Sequence, residues 1–426
     1  MRDGAPGDGV PSPPAGRVAG RLGSGPASAD APPRFQVLVL NQISANGLKR
    51  LPVERYAVGK AVKQPAAVLV RSADMHGMDI PASVRAIGRA GAGTNNIPVD
   101  AMSARGVPVF NAPGANANAV KELVLAGMLM ASRNLAPALR FVAALDPNLP
   151  DVDKAVEEGK KNFAGFELAG QTLGIVGLGK IGCLVADAAI KLGMDVLGFD
   201  PHITVDAAWS LPAQVKKAGS VAEVLRSANF VTLHVPLIDA TRDLVNDGNV
   251  SQMKPGAVLL NFSREGVVNE QAVLASLSAG HLAHYVCDFP SAALNRHERV
   301  IALPHLGAST REAEENCAVM VADQLRDYLE HGNVTNAVNF PSVGMARESA
   351  YRVAIANANV PNMLGQISTA MARAGLNIHN MVNKSRGDMA YTLVDVDSAV
   401  EDSVLDDIRS IAGVLSVRYL PYQGGD

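Results

Sequence analysis

Residues 172–200 contain a glycine-rich turn between two apolar segments, and this feature constrains the fold more than any other. The apolar run Leu173–Val176 is followed by GLGKIG. A helical pattern and a second apolar run, Met194–Phe199, come next, and Asp200 stands 18 residues after Gly182. This order predicts a strand, a tight turn, a helix and a strand, in which a dinucleotide pyrophosphate rests on unpaired amides at the helix N-terminus. An acid at the end of the second strand accepts hydrogen bonds from ribose hydroxyls and repels a 2′-phosphate, so the segment predicts NAD rather than NADP.

The composition is that of a globular chain with two or three domains. The chain has 426 residues, of which 48 % are hydrophobic, and its formal net charge is −3. That charge gives no electrostatic reason to expect a nucleic acid or a membrane surface as a partner. No apolar stretch reaches the length of a membrane span.

The three cysteines, Cys183, Cys287 and Cys317, are scattered and lack CxxC spacing. This usage favours a reducing, cytoplasmic compartment and argues against a disulfide framework. The nine histidines show no ligand spacing, so no metal site is predicted.

Residues 1–34 differ from the rest, with seven glycines, seven prolines and no aromatic residue. Such a segment buries too little apolar surface to offset its ordering entropy, so we predict a disordered tail or a start-site artefact. It lacks the continuous apolar region of a signal peptide.

The remaining chain alternates apolar runs with helical patterns, which predicts an α/β protein with a doubly wound parallel sheet. The last 80 or so residues follow a different order, strand–helix–strand–strand–helix–strand, which predicts a ferredoxin-like α+β module.

Two loop residues carry side chains suited to chemistry beside a nicotinamide. Arg264 follows the buried run Ala257–Asn261, and a guanidinium offers a planar fork of donors for a carboxylate. His305 lies in a Pro/Gly loop and can exchange a hydroxyl proton near neutral pH. Taken alone, Arg264 also fits a solvated loop residue, and His305 a hydrogen-bonded structural histidine. Ser309 and Glu312 predict a capping box for the helix that follows.

These motifs resemble the D-isomer-specific 2-hydroxyacid dehydrogenases over about residues 35–420. Within that family the chain is similar to members that oxidise 3-phospho-D-glycerate and carry a C-terminal ACT module. The resemblance rests on these segments: VRSADM, GRAGAGTNNI, NAPGANANAVKELVLAGMLMASRNL, GLGKIG, HVPL, NFSREGVVNE, PHLGAST, NANVPNMLGQIS and RAGLNI.

The resemblance implies two lobes with a Rossmann nucleotide domain, followed by the ACT module. The implied divisions are 35–117 with 305–340 for substrate binding, 118–304 for NAD binding, and 349–422 for regulation.

The resemblance also implies roles for individual residues. His305 would be the acid/base on the substrate 2-hydroxyl, and Arg264 would bind the substrate carboxylate. Substrate-binding positions would be Arg71, Ser72, Arg89, Gly91 and Gly93. Cofactor-binding positions would be Gly177, Gly179, Lys180, Ile181, Gly182, Asp200, Val235, Pro236, Phe262, Ser263 and Asp288.

One departure from the family concerns a glutamate that normally follows the strand ending at Asp288 and favours the imidazolium form of the histidine. Alanine stands at about that position here, near Ala292. Glu298 is one candidate replacement, another acid is a second, and an unpaired His305 is the third alternative. A second departure is Glu265, where the family commonly has glycine.

The ACT module implies an L-serine effector bound between two modules, and therefore a homo-oligomer. Asn357, Asn359 and Asn377 are the implied effector-binding positions, and the alternative is that they are turn and strand-end residues.

The predicted function is NAD-dependent oxidation of 3-phospho-D-glycerate to 3-phosphonooxypyruvate, the first step of serine biosynthesis. The alternatives are another 2-hydroxyacid dehydrogenase, acting on glycerate, lactate or 2-hydroxyglutarate, and a non-catalytic NAD sensor. Two arginines, Arg71 and Arg89, suit a phosphorylated acid better than an unphosphorylated one.

Overall fold

Three β-sheets organise the chain in the computed structural model, which describes residues 35–148 and 150–422. The predicted tail, residues 1–34, lies outside the described residues. Two parallel sheets are followed by one antiparallel sheet, which confirms the predicted fold class.

The first sheet has five parallel strands in the order β2-β1-β3-β4-β5. Its strands are short and apolar, and all four residues of β3 are buried, as expected for a parallel sheet covered on both faces. The elements are β1 (Phe35–Leu40), α1 (Ala45–Leu48), β2 (Tyr56–Gly59), β3 (Ala67–Val70), β4 (Ala86–Arg89), α2 (Val99–Ala104) and β5 (Val109–Phe110).

The second sheet has seven parallel strands in the order β12-β11-β10-β9-β6-β7-β8. Strand order reverses between β6 and its neighbour β9, and in sheets of this kind ligands bind where that reversal opens a crevice at the carboxyl ends. The strands are β6 (Thr172–Val176), β7 (Asp195–Phe199), β8 (Lys216–Lys217), β9 (Phe230–Leu233), β10 (Ala257–Asn261), β11 (Leu282–Cys287) and β12 (Val300–Ala302). The helices are α3 (Ala117–Ser132), α4 (Leu135–Ala143), α5 (Val152–Gly159), α6 (Lys180–Lys191), α7 (Val205–Ser210), α8 (Val221–Ser227) and α9 (Glu270–Ser278).

A long helix, α10 (Arg311–His331), returns the chain from the second sheet to the first. Its N-cap is Thr310, whose side chain accepts the N–H of Ala313, so the predicted cap at Ser309 was wrong by one residue. A Cβ on Gly88 of β4 would lie 2.4 Å from the Val321 side chain, which shows how closely α10 packs on the first sheet.

The third sheet is antiparallel, in the order β14-β15-β13-β16, and its sequence of elements is the predicted βαββαβ. Both helices cover one face of the sheet and bury an apolar core there. The elements are β13 (Tyr351–Ala358), α11 (Met363–Arg373), β14 (Ile378–Arg386), β15 (Met389–Val396), α12 (Asp402–Ser410) and β16 (Val414–Pro421).

The other face of the third sheet packs against the end of α10. Arg352, Tyr391 and Arg418 donate hydrogen bonds of 2.8–3.1 Å to backbone carbonyls between residues 328 and 332. Positive charge stabilises a helix C-terminus, where carbonyls lack intrahelical partners. The third sheet therefore caps α10.

Arg352 is at the centre of this interface, and its side chain is fully buried. It pairs with Asp395 through two bonds, Nε to Oδ1 at 2.6 Å and Nη2 to Oδ2 at 2.8 Å. Its other donors reach the carbonyls of His331, Met345 and Ala346. All five guanidinium donors are thus used.

Within the described residues, no helix combines the length and apolarity needed to cross a membrane.

Candidate active site

The glycine turn after β6 forms a tight cradle. Gly177 has a φ of +95°, in the left-handed region that favours glycine. A Cβ on Gly182 would lie 2.1 Å from the Gly177 carbonyl oxygen, so α6 packs directly on the turn. Gly179 precedes the first turn of α6, whose unpaired N–H groups are available to an anion. The turn has the shape that a dinucleotide pyrophosphate requires.

Asp200 stands at the end of β7 and faces this turn. One of its carboxylate oxygens, Oδ2, accepts the N–H of Leu178 at 2.9 Å, and the other accepts the N–H of His202 at 2.9 Å. The carboxylate is therefore positioned beside the cradle, where a ribose would lie.

The other predicted cofactor residues follow successive parallel strands. Val235 and Pro236 follow β9, and Phe262 and Ser263 follow β10. Phe262 is buried in the apolar cluster shared with α3, so its side chain supports the sheet edge. Lys180 begins α6, where its side chain lies against Gly114, and Ile181 follows it.

Asp288 directly follows β11 and holds the loop that carries His305. Its two oxygens accept the N–H groups of Leu306 and Gly307, each at 2.7 Å. Burial raises the pKa of Asp288, and these hydrogen bonds oppose that rise. The structure shows this carboxylate fixing the loop. Its place in the cofactor site, which the family resemblance implied, stays a prediction.

His305 has a left-handed backbone conformation, with φ of +57°. Its ring packs edge-on against Phe289, with the centroids 5.3 Å apart. Together with the Asp288 hydrogen bonds, these contacts fix the imidazole at the carboxyl edge of the second sheet.

Arg264 lies at the same edge, after β10. Asn261 donates a 2.8 Å hydrogen bond to the Arg264 carbonyl, and Nη1 of Arg264 donates to the Ser263 carbonyl at 2.6 Å. A Cβ on Gly93, which follows the first sheet, would lie 3.6 Å from Nη2 of Arg264. The guanidinium thus reaches from the second sheet towards the first.

A cavity of about 1090 Å³, here called the cleft, opens between these two sheets. Arg89 and Gly93 line it from the first sheet, and Arg264 and His305 line it from the second. The two predicted catalytic side chains are therefore brought to one cavity. The residues lining the cleft also include His76, Asp100 and Pro236.

Within residues 35–148 and 150–422, Arg89 has no ion-pair partner. Its Nε is buried and has no hydrogen-bond partner in the described part of the chain. Burial lowers the pKa of Arg89, and the positive charges of Arg264 and Arg71 lower it further, although Cys317 acts in the opposite direction. Its guanidinium lies so close to Gly91 that a Cβ there would be 1.8 Å from Nη1.

Arg71 and Ser72 make their contacts outside the lining of the cleft. Arg71 pairs with Glu314 of α10 at 2.5 Å, and the Ser72 N–H donates to Asn41. Neither residue is among the described residues that line the cleft. Arg71 is nevertheless close enough to affect the charge balance at Arg89.

Glu298 is not among the acids that share a cavity with His305 in the described structure. Glu298 is exposed and lines neither the cleft nor the adjoining cavity of about 620 Å³. That second cavity is lined by Arg264, His305, Glu265 and Glu270. Glu270, the first residue of α9, belongs to the NFSREGVVNE motif and is a candidate for the second alternative, another acid.

His234, in the HVPL motif, is one of the histidines for which the sequence showed no ligand spacing. Its Nε2 lies 3.0 Å from the Thr232 hydroxyl, and its buried Nδ1 has no partner among the residues described. Burial lowers the pKa of His234 to about 4, so the ring is neutral at pH 7. The sequence signal was its position at the end of a buried strand beside the glycine turn.

The three asparagines of the third sheet do not meet within one chain. Asn357 is buried near the end of β13, and Asn359 follows that strand. Along β15, Asn357 lies opposite Ala390, whereas the residue after Asn377 lies opposite Val396. Six residues of extended strand separate those positions, roughly 20 Å.

No group of three or more His, Cys, Asp or Glu side chains within residues 35–148 and 150–422 is arranged to hold a metal ion.

Comparisons with known proteins agree with this geometry. The family model described as D-isomer specific 2-hydroxyacid dehydrogenase, NAD binding domain, matches residues 125–307. The chain is 32% identical over 343 residues to a D-3-phosphoglycerate dehydrogenase of Haemophilus influenzae, covering 77% of this chain and 79% of that protein. It is also 32% identical over 344 residues to the D-3-phosphoglycerate dehydrogenase of Escherichia coli K12, with the same coverage of 77% and 79%.

Among solved structures, the NAD⁺-bound 3-phosphoglycerate dehydrogenase of Entamoeba histolytica has a similar fold. The TM-score is 0.55 at 24% identity, with 71% of this chain and 98% of that chain covered.

Proposed function

Because the chain belongs to the D-isomer-specific 2-hydroxyacid dehydrogenase family, we propose that it oxidises 3-phospho-D-glycerate at C2 with NAD, giving 3-phosphonooxypyruvate. In the cell this reaction would be the first step of L-serine biosynthesis. The proposal rests on the combination of family, cofactor cradle and a cation-lined cleft.

One observation carries the substrate class. Arg89 and Arg264 line the cleft together with His305, and Arg89 keeps a buried donor without an acceptor in the described structure. Unpaired cations at close range are unfavourable unless an anion completes the site. A substrate with a carboxylate at one end and a phosphate at the other supplies acceptors for both arginines.

Three features of the second sheet fit NAD: the Gly177–Gly182 cradle, the start of α6 and the carboxylate of Asp200. When bound, it supplies the acceptor for the hydride that leaves C2.

The side chains of the cleft then have separate tasks. His305 accepts the proton of the 2-hydroxyl as the C2–H bond breaks and the carbonyl forms. Arg264 binds the carboxylate and stabilises charge on the C2 oxygen. Arg89 holds the phosphate, with Arg71 nearby, and so fixes the distance between C2 and the cofactor site.

The direct test is formation of NADH by the purified protein with 3-phospho-D-glycerate at alkaline pH, followed at 340 nm. We expect turnover by the unmodified protein and a loss of about 10²-fold or more in kcat for His305→Gln. His379→Gln is the matched control, because His379 is exposed on β14 and should leave kcat unchanged. An inactive unmodified protein that still binds NAD would favour an NAD sensor instead.

We further propose that L-serine binds between the third sheets of two chains. Asn357 and Asn359 lie at one end of the sheet and Asn377 at the other, so a site using all three needs a second copy. The Oδ1 atom of Asn357 is buried and has no partner among the described residues. If serine changes neither the rate nor the melting temperature, this part of the proposal fails.

We also propose a cytoplasmic location and three functional divisions of the chain. These are 35–117 with 305–340 for substrate binding, 118–304 for NAD binding, and 349–422 for regulation. The location is supported by three free, buried cysteines, a usage that favours a reducing compartment.

A further inference from the structure

His76 lines the cleft from the first sheet, on the same side as Arg89. It belongs to the loop after β3 that also contains Arg71. We propose that His76, held by Asp74, binds the phosphate of the substrate and so distinguishes phosphorylated from unphosphorylated hydroxy acids. This inference rests on the proposed function and adds a specificity-determining residue to it.

Asp74 orients the His76 ring. Nδ1 of His76 lies 2.6 Å from Oδ1 of Asp74, and the same oxygen accepts the backbone N–H of His76 at 3.1 Å. These two hydrogen bonds hold the pKa of Asp74 below its usual value, so the carboxylate stays ionised. When both ring nitrogens carry a proton, Nδ1–H donates to Asp74 and Nε2–H is left as a second donor.

The backbone that carries this pair is fixed to the wall of the cleft. Met75 is buried, and its N–H donates to the Asn96 carbonyl at 2.8 Å. The Asn96 side chain donates back to the Ala73 carbonyl at 2.7 Å. Since the neighbouring residues 93–95 line the cleft, the position of His76 relative to that wall is set by these bonds.

The charges around His76 favour an anion. Arg89, Arg264 and His305 share the cleft with it, and Asp100 is the single acid among the described residues that line the cavity. Arg71 follows β3 in the same loop, but its Nη2 pairs with Glu314. A phosphate near this loop therefore meets Arg89 and the Nε2 side of the His76 ring, whose Nδ1 is held by Asp74.

The two ends of the substrate are expected on opposite sides of the cleft. The carboxylate and C2 belong with Arg264 and His305, on the side of the second sheet. The phosphate then falls on the side of the first sheet, beside Arg89 and His76. Loss of His76 should weaken phosphate binding and leave the reacting end unaffected.

The experiment compares Kd values for 3-phospho-D-glycerate and D-glycerate by calorimetric titration at pH 6.5, with NADH present so that no turnover occurs. For His76→Gln we expect Kd for the phosphorylated acid to rise about tenfold and Kd for D-glycerate to change less than twofold. Asp74→Asn should give a smaller rise of the same kind. His379→Gln is the control histidine and should match the unmodified protein.

Steady-state kinetics supply the second readout. In His76→Gln the KM for 3-phospho-D-glycerate should rise while kcat stays within twofold. Equal losses for both acids, or no loss for either, would overturn the inference. Because Asp74 is exposed, Asp74→Asn keeps the test valid if His76→Gln does not fold. Failure of the unmodified protein to bind or oxidise 3-phospho-D-glycerate would instead defeat the proposed function.

Discussion

The interface of the third sheet with α10 and the cleft between the first two sheets both centre on arginines, but the two regions satisfy them differently. Arg352 uses every donor, on Asp395 and on backbone carbonyls, and is fully buried. Arg89 has a buried Nε without a partner among the residues described, and its pKa is lowered by burial. A buried cation whose donors are all paired therefore indicates a structural contact, whereas a buried cation with an unpaired donor indicates a binding site for an anion.

The largest expected effect is on the structural side. Arg352→Met should lower the free energy of unfolding by about 3–5 kcal/mol, because it leaves Asp395 buried without its partner. Urea denaturation measures this change. The double variant Arg352→Met/Asp395→Leu should recover much of the loss, since it removes both charges. If Arg352→Met is as stable as the unmodified protein, the Arg352–Asp395 pair does not stabilise the fold.

Arg264→Gln tests the cleft, where we expect a loss of activity rather than a loss of stability. It should lower kcat by about 10²–10³-fold, because charge on the C2 oxygen loses its donor, while stability changes by less than about 0.5 kcal/mol. Arg296→Gln, an exposed arginine after β11, is the control for activity. If Arg264→Gln unfolds the protein and leaves the kcat of the folded fraction unchanged, the arginine is structural.

His234 extends the comparison to a neutral group with an unpaired buried nitrogen. Its pKa is lowered to about 4 by burial, so the unfolded chain binds its proton first as pH falls. This protonation should cost the folded state up to about 3.4 kcal/mol, beginning below about pH 6.5 and complete near pH 4. His234→Asn should remove this part of the acid sensitivity, and His379→Asn should retain it. Identical stability curves for both variants would contradict the assignment.

Arg89→Gln should have the smallest effect. We expect a 10- to 100-fold rise in the KM for 3-phospho-D-glycerate, about 1.5–3 kcal/mol, through loss of a charge-assisted hydrogen bond. Without ligand, the variant should be as stable as the unmodified protein or slightly more stable, because neighbouring positive charges no longer repel. A destabilisation above about 2 kcal/mol in the absence of ligand would place Arg89 with Arg352 as a structural residue.

The sequence predicted those elements whose formation depends on residues close together in the chain. The glycine turn, the strand before it and Asp200 follow from spacing, and the βαββαβ order follows from periodicity. Helix α5 was missed because residues 146–159 are mostly polar and include two prolines. No helix was predicted at α4 either, whose sequence is mostly apolar with Pro137 in its first turn.

The remaining differences depend on contacts between distant parts of the chain. The pair of Arg71 with Glu314 joins residues 243 positions apart, and Arg418 reaches Tyr328 across 90 positions. Composition and periodicity carry no signal for such pairs. The loop that holds Asp288 against His305 is a similar case, since the sequence placed both residues near the site but not in contact.

A crystal structure with NADH and 3-phospho-D-glycerate bound tests the central claim most directly. We expect His305 within hydrogen-bond distance of the C2 oxygen, Arg264 on the carboxylate, and Arg89 with His76 on the phosphate. A substrate bound in the reverse orientation, or outside the cleft, would contradict it.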